Sequence, residues 1–485
     1  MIIHHLTKHG HCVRISVNTL FSFILLAFST LTYALEIGDE SINGKGRIAL
    51  AIQSDHASLV TNQDMLMPPA STLKLFTALA AKLELGDSFK FQTRIEKAGN
   101  DIIVRFSGDP TLTQEQLKGM LLELKQVIGT NISGDIWLDD SAFTGYEFAV
   151  GWPWDILGVC YSAPSSAITL DHNCFPSSIR QNITLKNNKD NQYRVYIPEQ
   201  YPVTLKHDIK AVTKEQQKQL HCDLELQVSH SNHYTLSGCL PPINKALPLN
   251  FAVRNPAMYT QKLTKRLLRE VGIHLQGKIH LGNVSSTSNK VLVAHDSARL
   301  NEMLEEMLKE SDNLIANNLL KTLGQHFFMQ AGSFSNGAAA LKQILLTRAN
   351  IDLSTAQIFD GSGLSRNNRI TANQLVQVLT YIWQHDSELN FITMLPKSGE
   401  SGTLRYRKSM RKPPIQGRLA AKSGSLYGSF NMAGFVLDAH NQPSALFVQL
   451  ISDYFIDEQN REVDSEALAK FEQRFYSRAI EISEK

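Results

Sequence analysis

The sequence predicts an α+β protein in which an antiparallel sheet flanked by helices is interrupted by a large β-rich insertion. Two strand-like segments, residues 46–53 and 57–62, lead into an apolar helix near the N-terminus. Two more, residues 430–437 and 445–451, follow a helical block near the C-terminus. Between these ends, from about residue 91, short alternating segments punctuated by Gly and Asp favour β structure. We therefore expect both ends of the chain to contribute strands to one sheet.

Length and charge narrow the class of protein. The chain has 485 residues, enough for two or more domains and a large core. Its formal net charge is +2, with 43% hydrophobic and 19% charged residues. This balance is not typical of a nucleic-acid-binding protein or a disordered one.

The N-terminus has the pattern of a secretory signal peptide. Lys8 and Arg14 precede an apolar run at residues 17–31, which is followed by Thr32, Tyr33 and Ala34. The run is short for a transmembrane span, although a membrane anchor is the alternative interpretation. We expect cleavage after Ala34 and export to the bacterial periplasm, with at most peripheral membrane contact.

Four cysteines remain after such a cleavage: Cys160, Cys174, Cys222 and Cys239. They allow three connectivities. We favour the sequential pairs because both loops are short, and an oxidising compartment would allow the bonds to persist. The alternative is a metal site that uses His172, Cys174, His221 and Cys222, but these residues lack the CxxC spacing of zinc sites.

The first chemical motif is a serine and a lysine three residues apart at the start of the apolar helix. The helix is expected to begin just after Pro69, with Ser71 in its first turn and Lys74 on the same face. The hydroxyl and the amine can then meet, which is what an activated nucleophile needs. Such a match is weak by itself, since Ser409 and Lys412 repeat it in a basic stretch with no apolar helix behind it.

Two further triplets give the first motif a context. A Ser-Asp-Asn triplet at residues 311–313 lies between two predicted helices, and a Lys-Ser-Gly triplet at residues 422–424 opens a predicted strand. Another Lys-Ser-Gly at residues 397–399 lies in a glycine-rich loop. Only one set has the order helix start, helix–helix loop and strand, which is the arrangement of penicillin-binding proteins and class A β-lactamases.

The chain resembles a low-molecular-mass class C penicillin-binding protein, a D-alanyl-D-alanine carboxypeptidase/endopeptidase of the peptidase S13 type. Further segments similar to that group cover essentially the whole mature chain: WPWD at 152–155, YSAPSSAITLDHN at 161–173, NPAMY at 255–259, DGSGLSR at 360–366 and LPKSGESGTLR at 395–405. The first two motifs are 240 residues apart (311 − 71), and this group has a large insertion there. One departure is Ser423, where the usual residue is threonine.

The resemblance implies a penicillin-binding/β-lactamase-like transpeptidase domain and acyl transfer through an acyl-enzyme. Ser71 would attack the carbonyl of a D-Ala–D-Xaa bond, Lys74 would act as base, and Ser311 would relay the proton to the leaving amine. A free lysine has a pKa near 10.4, so that of Lys74 must fall by about 3 units, or about 4 kcal/mol, to serve at neutral pH.

Five further residues are predicted to bind substrate. Asn313 would hydrogen-bond the substrate backbone, and Lys422 and Ser423 would hold its terminal carboxylate or steady the relay. The backbone N–H groups of the nucleophile and Ser425 would form the oxyanion hole. Asp155, in the inserted region, would meet an amine on the stem peptide, with a structural carboxylate as the alternative.

The predicted organisation is a signal peptide at residues 1–34, a catalytic part at 35–90 and 288–485, and an insertion at 91–287 with two subdomains.

The expected partners are peptidoglycan stem peptides and, as covalent inhibitors, β-lactams. We expect no cofactor, metal or nucleic acid, and a homodimer remains open. A Ser-His-Asp hydrolase is disfavoured because Gly-x-Ser-x-Gly is absent, and a zinc peptidase because His-Glu-x-x-His is absent. The alternatives kept are a serine β-lactamase and a non-catalytic cell-wall-binding scaffold.

Overall fold

The computed structural model describes residues 42, 44–181, 193–283, 289–457 and 460–485. The predicted signal peptide at 1–34 lies outside these residues. So does the predicted boundary between the insertion and the catalytic part, at residues 287 and 288.

Eighteen strands are found in the described part of the chain. They are β1 Arg47–Gln53, β2 Ser58–Thr61, β3 Gln92–Ala98, β4 Asp101–Arg105, β5 Asn131–Ile132, β6 Ile136–Asp139, β7 Cys174–Gln181, β8 Tyr193–Tyr196, β9 Thr204–Ala211, β10 Leu224–Val228, β11 His233–Leu240, β12 Leu247–Ala252, β13 His274–Leu275, β14 Ile279–Leu281, β15 Lys290–Asp296, β16 Leu419–Leu426, β17 Ser429–Leu437 and β18 Pro443–Ser452.

Nine α-helices accompany them within the same residues. They are α1 Lys74–Leu85, α2 Gln114–Ile128, α3 Lys214–Gln219, α4 Pro256–Val271, α5 Leu300–Lys309, α6 Asn313–Phe328, α7 Phe334–Ala349, α8 Ala372–Leu389 and α9 Arg461–Ser483. In the described segments, no helix combines the length and the apolar character that a bilayer span requires.

The first sheet joins the two ends of the chain. Its five antiparallel strands have the order β16-β17-β18-β1-β2. Neighbouring residues of a strand face opposite sides, so Val448 packs in the core that contains Val378 of α8, whereas Phe447 packs against Phe475 of α9. The sheet is therefore covered by helices on both faces, and the predicted fold is confirmed.

Helix α1 runs through the centre of the helical layer. Residues 74–82 are all buried, as the apolar sequence predicted. The preceding turn differs from the prediction, because Ala70–Leu73 form a 3-10 turn and the α-helix starts only at Lys74. Ala70 adopts a left-handed φ of 47°, which redirects the chain as it enters this turn.

The region between the first two motifs contains its own sheets. A mixed five-stranded sheet has the order β14-β6-β4-β3-β15, and two three-stranded sheets have the orders β12-β7-β8 and β10-β11-β9. Strand β15 pairs with β3, with Asp296 opposite Gln92. This strand belongs to the sheet of the insertion, although the predicted boundary at residue 287 assigned it to the catalytic part.

One long helix in this region was not predicted. Helix α2 begins at a capping box in which the Thr113 hydroxyl accepts from the Gln116 N–H. Leu117, Leu121 and Leu124 then follow at helical spacing and are buried. The region is therefore a mixture of helix and sheet.

Both predicted disulfides are formed. Cys160 is bonded to Cys174, and Cys222 to Cys239. The proposed metal alternative is therefore wrong, because each of its two cysteines is in a disulfide.

Candidate active site

The segment that holds Ser71 is fixed by hydrogen bonds on both sides. The carbonyl of Pro68 accepts from Asn431 Nδ2 on β17 at 2.8 Å, and the carbonyl of Pro69 accepts from the Thr72 hydroxyl at 2.7 Å. Proline at these positions has no N–H to satisfy and cannot continue a helix backwards. Ser71 consequently lies in the 3-10 turn that precedes α1, next to the sheet.

Lys74 lies beneath Ser71 and is fully buried. Its Nζ atom is 3.0 Å from Ser71 Oγ, and it donates to Asn313 Oδ1 at 2.7 Å and to the Ser362 carbonyl at 2.8 Å. These three contacts come from three separate parts of the sequence. They fix the amine within hydrogen-bond reach of the predicted nucleophile.

Burial lowers the pKa of Lys74 from 10.5 to about 7. The nearby carboxylates of Asp360 and Asp312 act in the opposite direction and raise it. At neutral pH a large fraction of this amine is therefore unprotonated and can accept a proton.

The second motif reaches the same place from the start of α6. Ser311 has a left-handed φ of 63°, and Asp312 Oδ1 caps the helix by accepting from the Ile315 N–H at 2.7 Å. Asn313 Nδ2 donates to the Tyr161 carbonyl at 2.7 Å while its Oδ1 accepts from Lys74. Left-handed non-glycine residues cost on the order of 1–3 kcal/mol and cluster at functional sites.

The third motif lies on β16, the edge strand of the first sheet. Lys422 is fully buried, and burial, followed by the nearby charge of Lys74, holds its pKa well below the usual value. Its Nζ donates to the Ser423 carbonyl at 3.2 Å. The Ser423 hydroxyl lies 2.9 Å from Thr403 Oγ1, a contact that the sequence analysis missed.

These motifs open into one cleft of about 690 Å³. Its lining includes five of the predicted residues: Ser71, Ser311, Asn313, Ser425 and Asp155. Lys74 and Lys422 lie under its floor rather than at its surface.

Two glycines allow the backbone to close around Ser71. A Cβ on Gly424 would lie 2.7 Å from the Pro69 carbonyl oxygen and 3.0 Å from the Ser71 nitrogen. A Cβ on Gly363, which has φ of +85°, would lie 1.8 Å from the Ala70 carbonyl oxygen. Strand β16 therefore runs directly beside the Ser71 N–H, where an oxyanion hole would have to form.

The cleft contains residues for which the sequence analysis assigned no role. Tyr161, Arg366 and Tyr427 line it, and the Arg366 guanidinium lies 6.0 Å from the centre of the Tyr427 ring. Ser362 supplies a carbonyl to Lys74. The segment DGSGLSR at 360–366 was the signal that could have pointed to Ser362 and Arg366.

Within the described ranges, no group of three or more His, Cys, Asp or Glu side chains is placed to hold a metal ion.

The chain is similar in sequence and in fold to known proteins. The chain is 33% identical over 479 residues to D-alanyl-D-alanine carboxypeptidase DacB of Haemophilus influenzae, an alignment covering 95% of this chain and 98% of that protein. The crystal structure of penicillin binding protein 4 (dacB) from Haemophilus influenzae matches with a TM-score of 0.83 and 31% identity, covering 90% of this chain and 97% of that one. The same protein complexed with a β-lactam matches with a TM-score of 0.79 and 30% identity over 90% and 97% of the chains.

The family relationship extends along nearly the whole chain. Residues 34–475 match the model of the D-Ala-D-Ala carboxypeptidase 3 (S13) family. This range contains all three motifs and the insertion between the first two. The chain therefore belongs to the D-Ala-D-Ala carboxypeptidase 3 (S13) family.

Proposed function

We propose that this protein is an exported serine peptidase that cleaves the D-Ala–D-Xaa bond of peptidoglycan stem peptides through an acyl-enzyme on Ser71. The observation that carries the proposal is the buried Lys74 amine, 3.0 Å from Ser71 Oγ at the floor of an open cleft. A buried amine next to a hydroxyl is the arrangement that makes a serine nucleophilic.

The hydrogen bonds of Lys74 favour its neutral form as the base. A neutral amine has two protons and one lone pair. The two N–H groups donate to Asn313 Oδ1 and to the Ser362 carbonyl, which leaves the lone pair to accept from the Ser71 hydroxyl. Ser71 Oγ then attacks the substrate carbonyl carbon while its proton moves to Lys74 Nζ.

The developing oxyanion would be held by the backbone N–H groups of Ser71 and Ser425. Each such donor is typically worth about 2.7–4 kcal/mol of transition-state stabilisation. As the C–N bond breaks, Ser311 gives its hydroxyl proton to the leaving amine and takes up the proton that Lys74 received from Ser71, so both groups return to their starting states. Attack of water on the ester then releases the acyl group and regenerates Ser71.

The other end of the substrate would be held on the β16 side. Ser423 and Thr403 form a pair of hydroxyls 2.9 Å apart beside this strand, and they could donate to the terminal carboxylate. Lys422, buried below, would add positive potential when protonated. Retention of a hydroxyl at position 423 fits the replacement of the usual threonine by serine.

Asp155 and Arg366 line the same cleft with opposite charges. A stem-peptide side chain that carries both an amine and a carboxylate would satisfy the two together. We propose that Asp155 takes the amine of such a side chain.

The direct test is covalent labelling with a tagged penicillin followed by peptide mapping. The proposal predicts stoichiometric, slowly reversed labelling at Ser71, and no label on Ser71→Ala. Equal labelling of both proteins, or none on the folded wild type, would reject it and favour a non-catalytic scaffold. Rapid turnover of the penicillin would instead favour a serine β-lactamase.

The products distinguish the two peptidase activities. Mass spectrometry of digested peptidoglycan should show loss of terminal D-alanine for a carboxypeptidase. Conversion of dimeric to monomeric muropeptides would indicate an endopeptidase. Carboxypeptidase activity is expected at least. Intact substrate after prolonged incubation would contradict both activities.

Export to the periplasm is supported by the basic and apolar N-terminal pattern together with two disulfides, which persist in oxidising compartments. Deleting residues 1–34 should leave the protein in the cytosolic fraction. Recovery of that truncated form from the periplasm would contradict the proposal.

A further inference from the structure

Asp360 is a buried carboxylate with an unusual set of neighbours. It is fully buried, and its Oδ1 accepts from the Gly363 N–H at 2.9 Å and from Asn368 Nδ2 at 2.8 Å. Its Oδ2 accepts from the Ser365 N–H at 2.7 Å and from Trp152 Nε1 at 2.8 Å. Every one of these neighbours is a donor, which is the environment of an ionised carboxylate.

The loop that Asp360 organises is the loop that contacts the base. The carbonyl of Ser362, two residues later, accepts a hydrogen bond from Lys74 Nζ, and the Ser362 hydroxyl donates to Asp360 Oδ2 at 3.4 Å. The Gly361 carbonyl accepts from the Thr77 hydroxyl on α1 at 2.7 Å. The turn around Asp360 thus fixes the position of the carbonyl that Lys74 needs.

The fourth donor connects this loop to the substrate side of the cleft. Trp152 precedes Asp155 by three residues, and its ring stands against Phe148 and Phe334. The Ser365 hydroxyl donates to the Val150 carbonyl at 2.7 Å, which ties the same two segments together again. One carboxylate therefore links the base to the segment that carries Asp155.

We propose that Asp360 is a positioning residue that holds the 360–366 loop against Lys74, anchors the segment carrying Asp155, and places a fixed negative charge near the base. The proposal deepens the proposed function and rests on Lys74 being the base. Three charged groups act around the Lys74 amine: Asp360 on the loop, Asp312 before α6 and Lys422 on β16. Asp360 shapes the loop whose Ser362 carbonyl accepts from the amine, whereas Asp312 caps the helix that begins with Asn313, the other acceptor.

The effect of the Asp360 charge on the pKa of Lys74 has a predictable direction. Asp360 raises the pKa of Lys74 and so opposes the effect of burial. Removing the charge should lower that pKa, so that the unprotonated base persists to lower pH. A residue with a purely structural role would change the rate at all pH values without moving this midpoint.

The experiment compares the pH dependence of acylation by a tagged penicillin for wild type, Asp360→Asn and Trp152→Phe. Asp360→Asn should acylate at least about tenfold more slowly and move the acidic midpoint down by about half a unit to one unit. Trp152→Phe keeps the charge and loses one hydrogen bond, so its midpoint should not move. Asp464→Asn is the matched control: it removes a buried carboxylate on α9 that pairs with Lys45, and it should leave rate and midpoint unchanged.

The anchoring role has its own readout. Trp152→Phe should raise KM about threefold to tenfold for a stem peptide with a free side-chain amine, and less for its N-acetylated form. This arm applies even where Asp360→Asn yields no folded protein. An unchanged KM for the amine-bearing peptide would overturn the anchoring role.

The failure of this inference is distinct from that of the proposed function. An unlabelled wild-type protein would count against the function itself. A labelled wild type whose acidic midpoint is the same in folded Asp360→Asn would overturn the role of Asp360 alone.

Discussion

Replacing Lys74 by methionine should make the protein more stable while abolishing acylation. A fall in the Lys74 pKa from 10.5 to about 7 corresponds to a cost of about 5 kcal/mol, at about 1.4 kcal/mol per unit, when the protonated amine is buried. Methionine has a similar shape and no charge, so it removes this cost. It also leaves Asn313 Oδ1 and the Ser362 carbonyl without their donor, which costs about 2–3 kcal/mol together.

The difference in stability between Lys74→Met and wild type depends on pH in a direction that the lowered pKa fixes. Because the pKa of Lys74 is lower in the folded state, the unfolded chain binds more protons between about pH 7 and pH 10.5, and wild-type stability gains from this group as pH rises. Below pH 7 the full cost applies, so Lys74→Met should be more stable by about 2 kcal/mol. Near pH 9 the remaining cost of burying the Lys74 amine is about 2 kcal/mol, which equals the cost of the two lost hydrogen bonds. The stability gained by Lys74→Met should therefore vanish.

Urea unfolding of wild type and Lys74→Met at about pH 6 and pH 9 measures this difference. Lys82→Met is the control on the same helix: it removes a buried amine together with its hydrogen bonds to Asp87 and Asn301, and should lower stability. If the difference between Lys74→Met and wild type were the same at both pH values, the depressed pKa would be refuted, and so would the mechanism built on it.

Three further outcomes follow from the geometry. Gly363→Ala should reduce the rate of penicillin acylation by more than about tenfold, because the added Cβ would lie 1.8 Å from the Ala70 carbonyl oxygen, next to Ser71. Labelling of this variant at the wild-type rate would contradict the close approach. Asp155→Asn should raise KM for a stem peptide with a free side-chain amine and have little effect on its acetylated form, and equal changes for both would exclude an amine contact. Replacing Cys160 and Cys174 together by serine should lower the free energy of unfolding by about 3 kcal/mol, as measured in urea, and an unchanged midpoint would show that this bond contributes nothing.

The sequence was sufficient for the framework of the site. Pro69 and the apolar run after it located α1, and three short motifs in the right order and local context identified the residues that meet at the cleft. Short loops between cysteines were enough to select both disulfides. These features depend on local chemistry and spacing, which a single sequence displays.

Other features depend on contacts between distant parts of the chain. Nothing local indicates that Asn313 accepts from Lys74, or that Asp360 accepts from Trp152 across 208 residues. Helix α2 is a different case, because the Thr113–Gln116 capping box is a local signal that stands in a stretch otherwise rich in strand-like segments. Its amphipathic spacing would have predicted the helix.

The central claim is that a neutral Lys74 amine activates Ser71. The rate at which a tagged penicillin acylates the wild-type protein, followed from about pH 5 to pH 9, tests it most directly. The rate should rise through a midpoint near 7, in line with the pKa of Lys74, and Lys74→Met should remain unlabelled. A rate that is constant over this range, or normal labelling of folded Lys74→Met, would contradict the account.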